Sequence, residues 1–184
     1  MSGSAANLQL GIGDLGLKVY SAGSYASGFT SPGWHSEKGV VATYKQDEKK
    51  HKVGNSQGVV KIFITGEELA LEGEVEDFTA ANVASALGLA AGDITDDAVN
   101  HIKSMFIGGN VVANYVSAQF THVFDITGLF ARITLFKARF SGGLKLEWKP
   151  GDPTGVPMKM EAMIDDAVGA TNGKLGLIEF KYQV

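Results

Sequence analysis

Two glycine motifs, four histidines and two blocks of charge are the residues of this 184-residue chain whose types and spacing could carry chemistry. Gly11-Ile12-Gly13-Asp14-Leu15-Gly16 fits the glycine fingerprint of dinucleotide-binding folds. That fingerprint needs a helix N-terminus after it to hold a pyrophosphate, whereas Leu17-Lys18-Val19-Tyr20-Ser21 alternates as a strand does and runs to Gly23. Gly54-Asn55-Ser56-Gln57-Gly58 fits the nucleophile-elbow pattern, but a Lys-rich stretch precedes it and the strand-like Val59 to Ile64 follows. His35, His51, His101 and His122 lack ligand spacing such as the i, i+4 pair of zinc helices. Each reads as structural or solvated. With no cysteine, thiolate nucleophiles, disulfides, zinc fingers and iron–sulfur clusters are excluded together.

The carboxylates are numerous but poorly placed for catalysis. Glu72, Glu74 and Glu76 share one parity, so as a strand face they would be hydrated and ionised alike, where an acid and base pair needs two environments. Asp93, Asp96 and Asp97 fit helix capping, and no calcium loop is present. The expectation is a protein without catalytic, cofactor or metal residues.

Charge segregates along the chain. Glu67 to Asp97 holds nine acidic residues and no Lys or Arg, while Tyr44 to Lys52 carries Lys45, Lys49, Lys50 and Lys52 against Asp47 and Glu48. The sum, -4, gives no general attraction to nucleic acid or anionic lipid. An acidic face and a basic projection on one chain favour head-to-tail contact, which repeats into rings or filaments.

The elements that must position these groups read as mainly β. Leu69, Leu71 and Val75 alternate with Glu68, Glu72, Glu74 and Glu76. Thr79 follows as an N-cap, with Phe78 set to staple onto Val83 and Gly88 as the stop. A second helix is expected from Ile94 to Gly108, where Val99, Ile102, Met105 and Phe106 keep helical spacing. Strands are expected over Val111 to Val123, Phe130 to Phe140, Leu144 to Trp148, Val156 to Ile164 and Leu175 to Tyr182, with turns at Gly142-Gly143 and Asn172-Gly173. The apolar parity of the second of these changes near Leu135-Phe136, as at a bulge or where a strand leaves one sheet for another. Thr43 to Gly58 is too polar to order itself by burial and reads as a long projecting loop. The expected architecture is a single domain over 1–184: an antiparallel β-sandwich or barrel with one or two short flanking helices. No internal repeat is evident. With 45% hydrophobic residues and no apolar run near the 18 or so that cross a bilayer, the composition is that of a globular protein that does not insert in membranes by itself. Met1 to Asn7 does not read as a secretory signal, so synthesis and assembly in a cytoplasm are expected.

Two stretches, KIFITGEELALEGEVEDFTAANVASALGL from Lys61 to Leu89 and GGLKLEWKPGDPTGVPMKMEAMIDD from Gly142 to Asp166, carry a resemblance to the major tail tube proteins of long-tailed bacteriophages. These are related in fold to the tube proteins of contractile injection systems. In the tail tube family a strand leads directly into a short helix of this kind, and a late hairpin carries a Pro/Gly turn. The segment from Gly92 to Gly109 looks longer than the family's usual connection, as an insertion would. The resemblance implies a virion subunit that forms hexameric rings around a lumen, stacked head to tail about a tape measure protein. Tail tip or baseplate and tail terminator proteins would be further partners, and DNA would pass through without sticking. It assigns the inter-ring loop to Lys45 to Gln57, including Lys45, Asp47, Lys49, Lys50 and Lys52. Glu72, Glu74 and Glu76 are candidates for an acidic lumen wall, which would deny phosphate the counterion-release gain that traps DNA. A tail decoration or adhesin domain is the alternative.

Overall fold

The computed structural model describes residues 13–33, 35–36, 39–52, 59–108, 114–124, 128–148, 154–167, 169 and 171–182. Chain order is β1 (Gly13–Val19), β2 (Val41–His51), β3 (Lys61–Val75), α1 (Ala80–Ala86), a 3₁₀ turn (Ala91–Asp93), β4 (Thr95–Asp97), β5 (Ile102–Ser104), β6 (Tyr115–Val123), β7 (Phe130–Ser141), β8 (Val156–Met163) and β9 (Gly176–Lys181). The fold is mainly β, as the alternation predicts. Seven strands form one antiparallel sheet in the order β1-β6-β7-β8-β3-β2, with β9 also on β7; β4 and β5 pair separately.

β7 organises the sheet. One edge pairs with β6; the other pairs with β9 through Phe130 to Leu135 and with β8 through Lys137 to Ser141. The exchange of partners coincides with a bulge. Val116 faces Ala138 and Ala118 faces Leu135, so Phe136 and Lys137 together oppose Ser117, whose hydroxyl donates to the Phe136 carbonyl at 2.6 Å. The parity change at Leu135-Phe136 is therefore both a bulge and a change of neighbour.

The sheet curls until its ends meet across a strap. Thr30 exchanges both backbone hydrogen bonds with Leu17 on the open edge of β1, and His35 bridges Val75 on β3. Leu15, Leu69, Leu71, Ala118, Leu135, Ala138 and Met160 fill the enclosed core, drawn from five strands. Fully burying each leucine or methionine of this set contributes about 1.5–3 kcal/mol. α1 covers the end of the core where β3 finishes, placing Ala86 and Val83 with Val75, Val156 and Met158.

The helix starts and stops where its capping residues predict. Thr79 Oγ1 accepts the Asn82 N–H at 3.2 Å. Gly88, at φ +73°, completes a Schellman motif in which its N–H reaches the Ser85 carbonyl and the Leu89 N–H reaches the Ala84 carbonyl. Gly142 and Gly143, at φ +91° and +70°, and Gly173, at +72°, likewise turn the chain where expected.

Three expectations are corrected. Thr43 to Gly58 is not a loop throughout: Val41–His51 is a strand whose ladder with β3 runs out to the pair His51 and Lys61. Backbone pairing supplies there the order that side-chain burial does not. The second helix, Ile94 to Gly108, is absent. A 3₁₀ turn and the β4–β5 hairpin replace it, because Asp97 accepts the N–H groups of Val99 and Asn100 and His101 sits at φ +56°, closing a tight turn where a helix would continue. Leu144 to Trp148 forms no strand, having left the sheet at the two left-handed glycines. Of Val111 to Val123, only Tyr115–Val123 is seen as strand, 111–113 lying outside the described residues.

Candidate functional site

β2 and the first half of β3 form a two-stranded ribbon that runs past the core. β8 pairs with β3 only through Ala70 to Val75, so from Leu69 back to Lys61 the strand has β2 alone. Side chains on the outer ribbon are therefore exposed on both faces.

A bulge sets which side chains share a face. Asp47 faces Gly66 and the next residue, Glu48, faces Ile64, leaving Thr65 extra; its hydroxyl donates to the Asp47 carbonyl at 3.2 Å. The slip of one residue restores Ile64 and Ile62 to the face that carries Leu69 and Leu71 nearer the core. An apolar line thus leaves the core and continues into solvent, where Ile62 and Ile64 stand 51% and 56% exposed. Between core and tip, the Tyr44 hydroxyl donates to Glu67 at 2.6 Å and the Gln46 amide donates to both, holding the Glu67 carboxyl below its usual range. The opposite face presents Lys49 beside Phe63, with the Lys61 ammonium 4.8 Å from the Phe63 ring centre.

The expected basic residues are all on this ribbon or at its tip. Lys45 pairs with Glu68 at 3.7 Å across the ladder. Asp47 marks the bulge, Lys49 and Lys50 face Phe63 and Ile62, and Lys52 is exposed just past β2. Residues 53–58, including most of the inter-ring assignment's far end and the Gly54 to Gly58 motif, lie outside the described residues.

The carboxylate stripe is less uniform than its parity suggests. Glu72 and Glu74 are on β3, but Glu76 falls beyond its end at Val75. Glu72 meets Lys159 at 2.9 Å, Lys159 lies 3.7 Å from Glu161, and Glu161 lies 4.0 Å from Arg139. Hydrogen bonding to Glu72 raises the Lys159 pKa. This face of β3, β8 and β7 is a ladder of alternating charge.

The glycine fingerprint has a packing explanation. Gly13 and Gly16 sit within β1; the Phe120 ring lies against the first, and a Cβ on the second would come 2.7 Å from Phe29 Cβ. The motif lets aromatic side chains lie on a bare strand backbone, with Gly11 and Ile12 outside the described residues. The histidines are scattered. His35 Nε2 accepts the Leu15 N–H at 3.0 Å, His51 ends β2, His101 makes the β4–β5 turn and His122 stacks edge-on with Phe124. Among the described residues no cluster of His, Asp or Glu could hold a metal ion.

Sequence reasoning overlooked two features. Asn82 turns its amide to the Pro32 carbonyl at 2.8 Å and the Asp77 carbonyl at 2.7 Å, tying strap to helix. The β4–β5 hairpin and the residues just after it expose Val99, Ile102, Phe106 and Ile107 to solvent, the last two 90% and 76% exposed. The turn residues Asp97 and Asn100 were the available signal. The sequence matches no protein-family model and no curated protein.

Proposed function

We propose that this chain is a structural subunit that assembles into stacked rings forming the hollow tail tube of a long-tailed bacteriophage. The observation that carries the reading is the β2–β3 ribbon, a paired projection with exposed apolar side chains that extends beyond the β core. A monomer gains nothing by holding Ile62, Phe63 and Ile64 in water, whereas a stacked subunit buries them. Among the described residues β2 pairs only with β3 and β9 only with β7, which leaves two strand edges for lateral neighbours. Ring number six, a tape measure protein in the lumen and terminator and tip proteins at the tube ends belong to the same proposal through the sequence resemblance.

Negative-stain electron microscopy of the purified chain tests it. Rings or tubes are expected as concentration rises. A discrete particle of 19.4 kDa at all concentrations would overturn the reading and favour a tail decoration or adhesin domain.

A further inference from the structure

The ribbon tip and the β4–β5 hairpin are two exposed apolar projections on the described surface, and they are rooted at opposite ends of β3. β3 links them. Its 15 residues span roughly 45 Å, with Lys61 at the ribbon tip and Val75 beside α1. The hairpin is rooted at the C-terminus of α1 from both sides: the Asp93 carboxylate accepts the Ala90 N–H at 2.8 Å, and the Asn114 amide donates to the Gly88 carbonyl at 3.1 Å.

Their charges are opposite. The tip carries Lys49, Lys50, Lys52 and Lys61 against Glu48, whereas the hairpin and its root carry Asp93, Asp96 and Asp97 against Lys103. Their apolar groups correspond as well, with Ile62, Phe63 and Ile64 on one and Val99, Ile102, Phe106 and Ile107 on the other. We infer that the ribbon tip of one copy seats on the β4–β5 hairpin of the next copy along the tube. The inference rests on the tube reading and names the partner of the ribbon within it. Because donor and acceptor differ and are rooted at opposite ends of β3, the contact is heterologous and repeats without limit along one axis. Desolvated apolar contact supplies affinity, and the opposed charges set polarity: tip against tip or hairpin against hairpin brings like charges together.

The chain has no cysteine, so introduced thiols report the contact cleanly. In a variant carrying both Ile62→Cys and Phe106→Cys, assembled tubes exposed to a mild oxidant should give dimers, trimers and longer multiples on a non-reducing denaturing gel. Each single variant should stop at background. Both positions are solvent-exposed, and circular dichroism should show an unchanged fold. Lys49→Glu with Lys50→Glu should slow tube growth at least tenfold at low salt. Tubes that form normally yet yield no linked species, or only dimers, would overturn this contact while leaving the tube reading intact. A parent chain that never assembles overturns both.

Discussion

Asn82 and Asp165 show how much of this fold rests on single polar side chains. Asn82 is nearly buried and uses both amide protons to hold the strap to the helix, while Thr79 caps the same helix from outside. Thr79→Ala should lower stability by about 1 kcal/mol, read as a drop in melting temperature. Asn82→Ala should cost more, because it removes the side-chain donor from the Pro32 carbonyl and leaves the Asp77 carbonyl only the Thr79 N–H. Asp165 is 1% exposed and accepts the Tyr20 hydroxyl at 2.7 Å and the Ala167 N–H at 3.1 Å. Burial pushes its carboxyl up, but hydrogen bonds from Thr171, Tyr20 and Ala167 more than offset this and hold it below the usual range. Neighbouring Asp166 is held low chiefly by Lys137, at 2.8 Å, and the same bonds push the Tyr20 hydroxyl well above its ordinary value. Carboxyls depressed in the folded state contribute stability that is complete above the unfolded Asp value of about 4 and is lost as pH falls through the lower folded values. Melting temperature should therefore fall steeply below about pH 4. Asp165→Asn should lower it at neutral pH and flatten the acid limb; an unchanged acid limb would remove Asp165 from this role.

At the scale of elements, legibility followed the presence of a core. Leu69, Leu71 and Val75 alternate because β3 has one buried face there, and that pattern identifies the strand, its face and the helix that follows. The parity break in β7 is readable for the same reason. Where no core exists, hydropathy has nothing to report. The outer ribbon has the sequence of a loop because strand pairing, rather than burial, orders it. The hairpin segment carries a helical pattern because Val99, Ile102, Met105 and Phe106 keep the helical interval, although an apolar stripe with no surface to pack on gives a short helix little stability. Candidate-site residues fared similarly: the ribbon lysines were found by charge, but the isoleucines beside them depend on a bulge at Thr65 that composition does not reveal. Replacing residues 47–66 with Asn-Gly, so that Gln46 and Glu67 flank a two-residue turn, should leave melting and circular dichroism near those of the parent while abolishing tube growth. Normal tubes from this variant would refute any stacking role for the ribbon.

For the whole molecule, the charge ladder changes what the acidic stripe can do. Glu72 is engaged by Lys159, so converting Glu72, Glu74 and Glu76 to Lys removes an ion pair as well as three carboxylates and sets Lys159 against a like charge. If this face lines a lumen, virions of the triple variant should form rings but eject DNA more slowly; normal tails with normal ejection kinetics would place the stripe outside. The threading of the sheet also governs when the protein can fold during synthesis. β2 and β3, β6 and β7, and β7 and β8 are neighbours both in sequence and in the sheet, but β1 waits for β6, and β3 waits for β8. A nascent chain that has not yet released β7 has an adhesive ribbon and no core to carry it. Ribosome-stalled chains ending near residue 145 should stay protease-sensitive, with resistance appearing only once β8 has emerged, so the capacity to stick precedes the capacity to fold and crowded polysomes become the place where this chain is most exposed to misassembly.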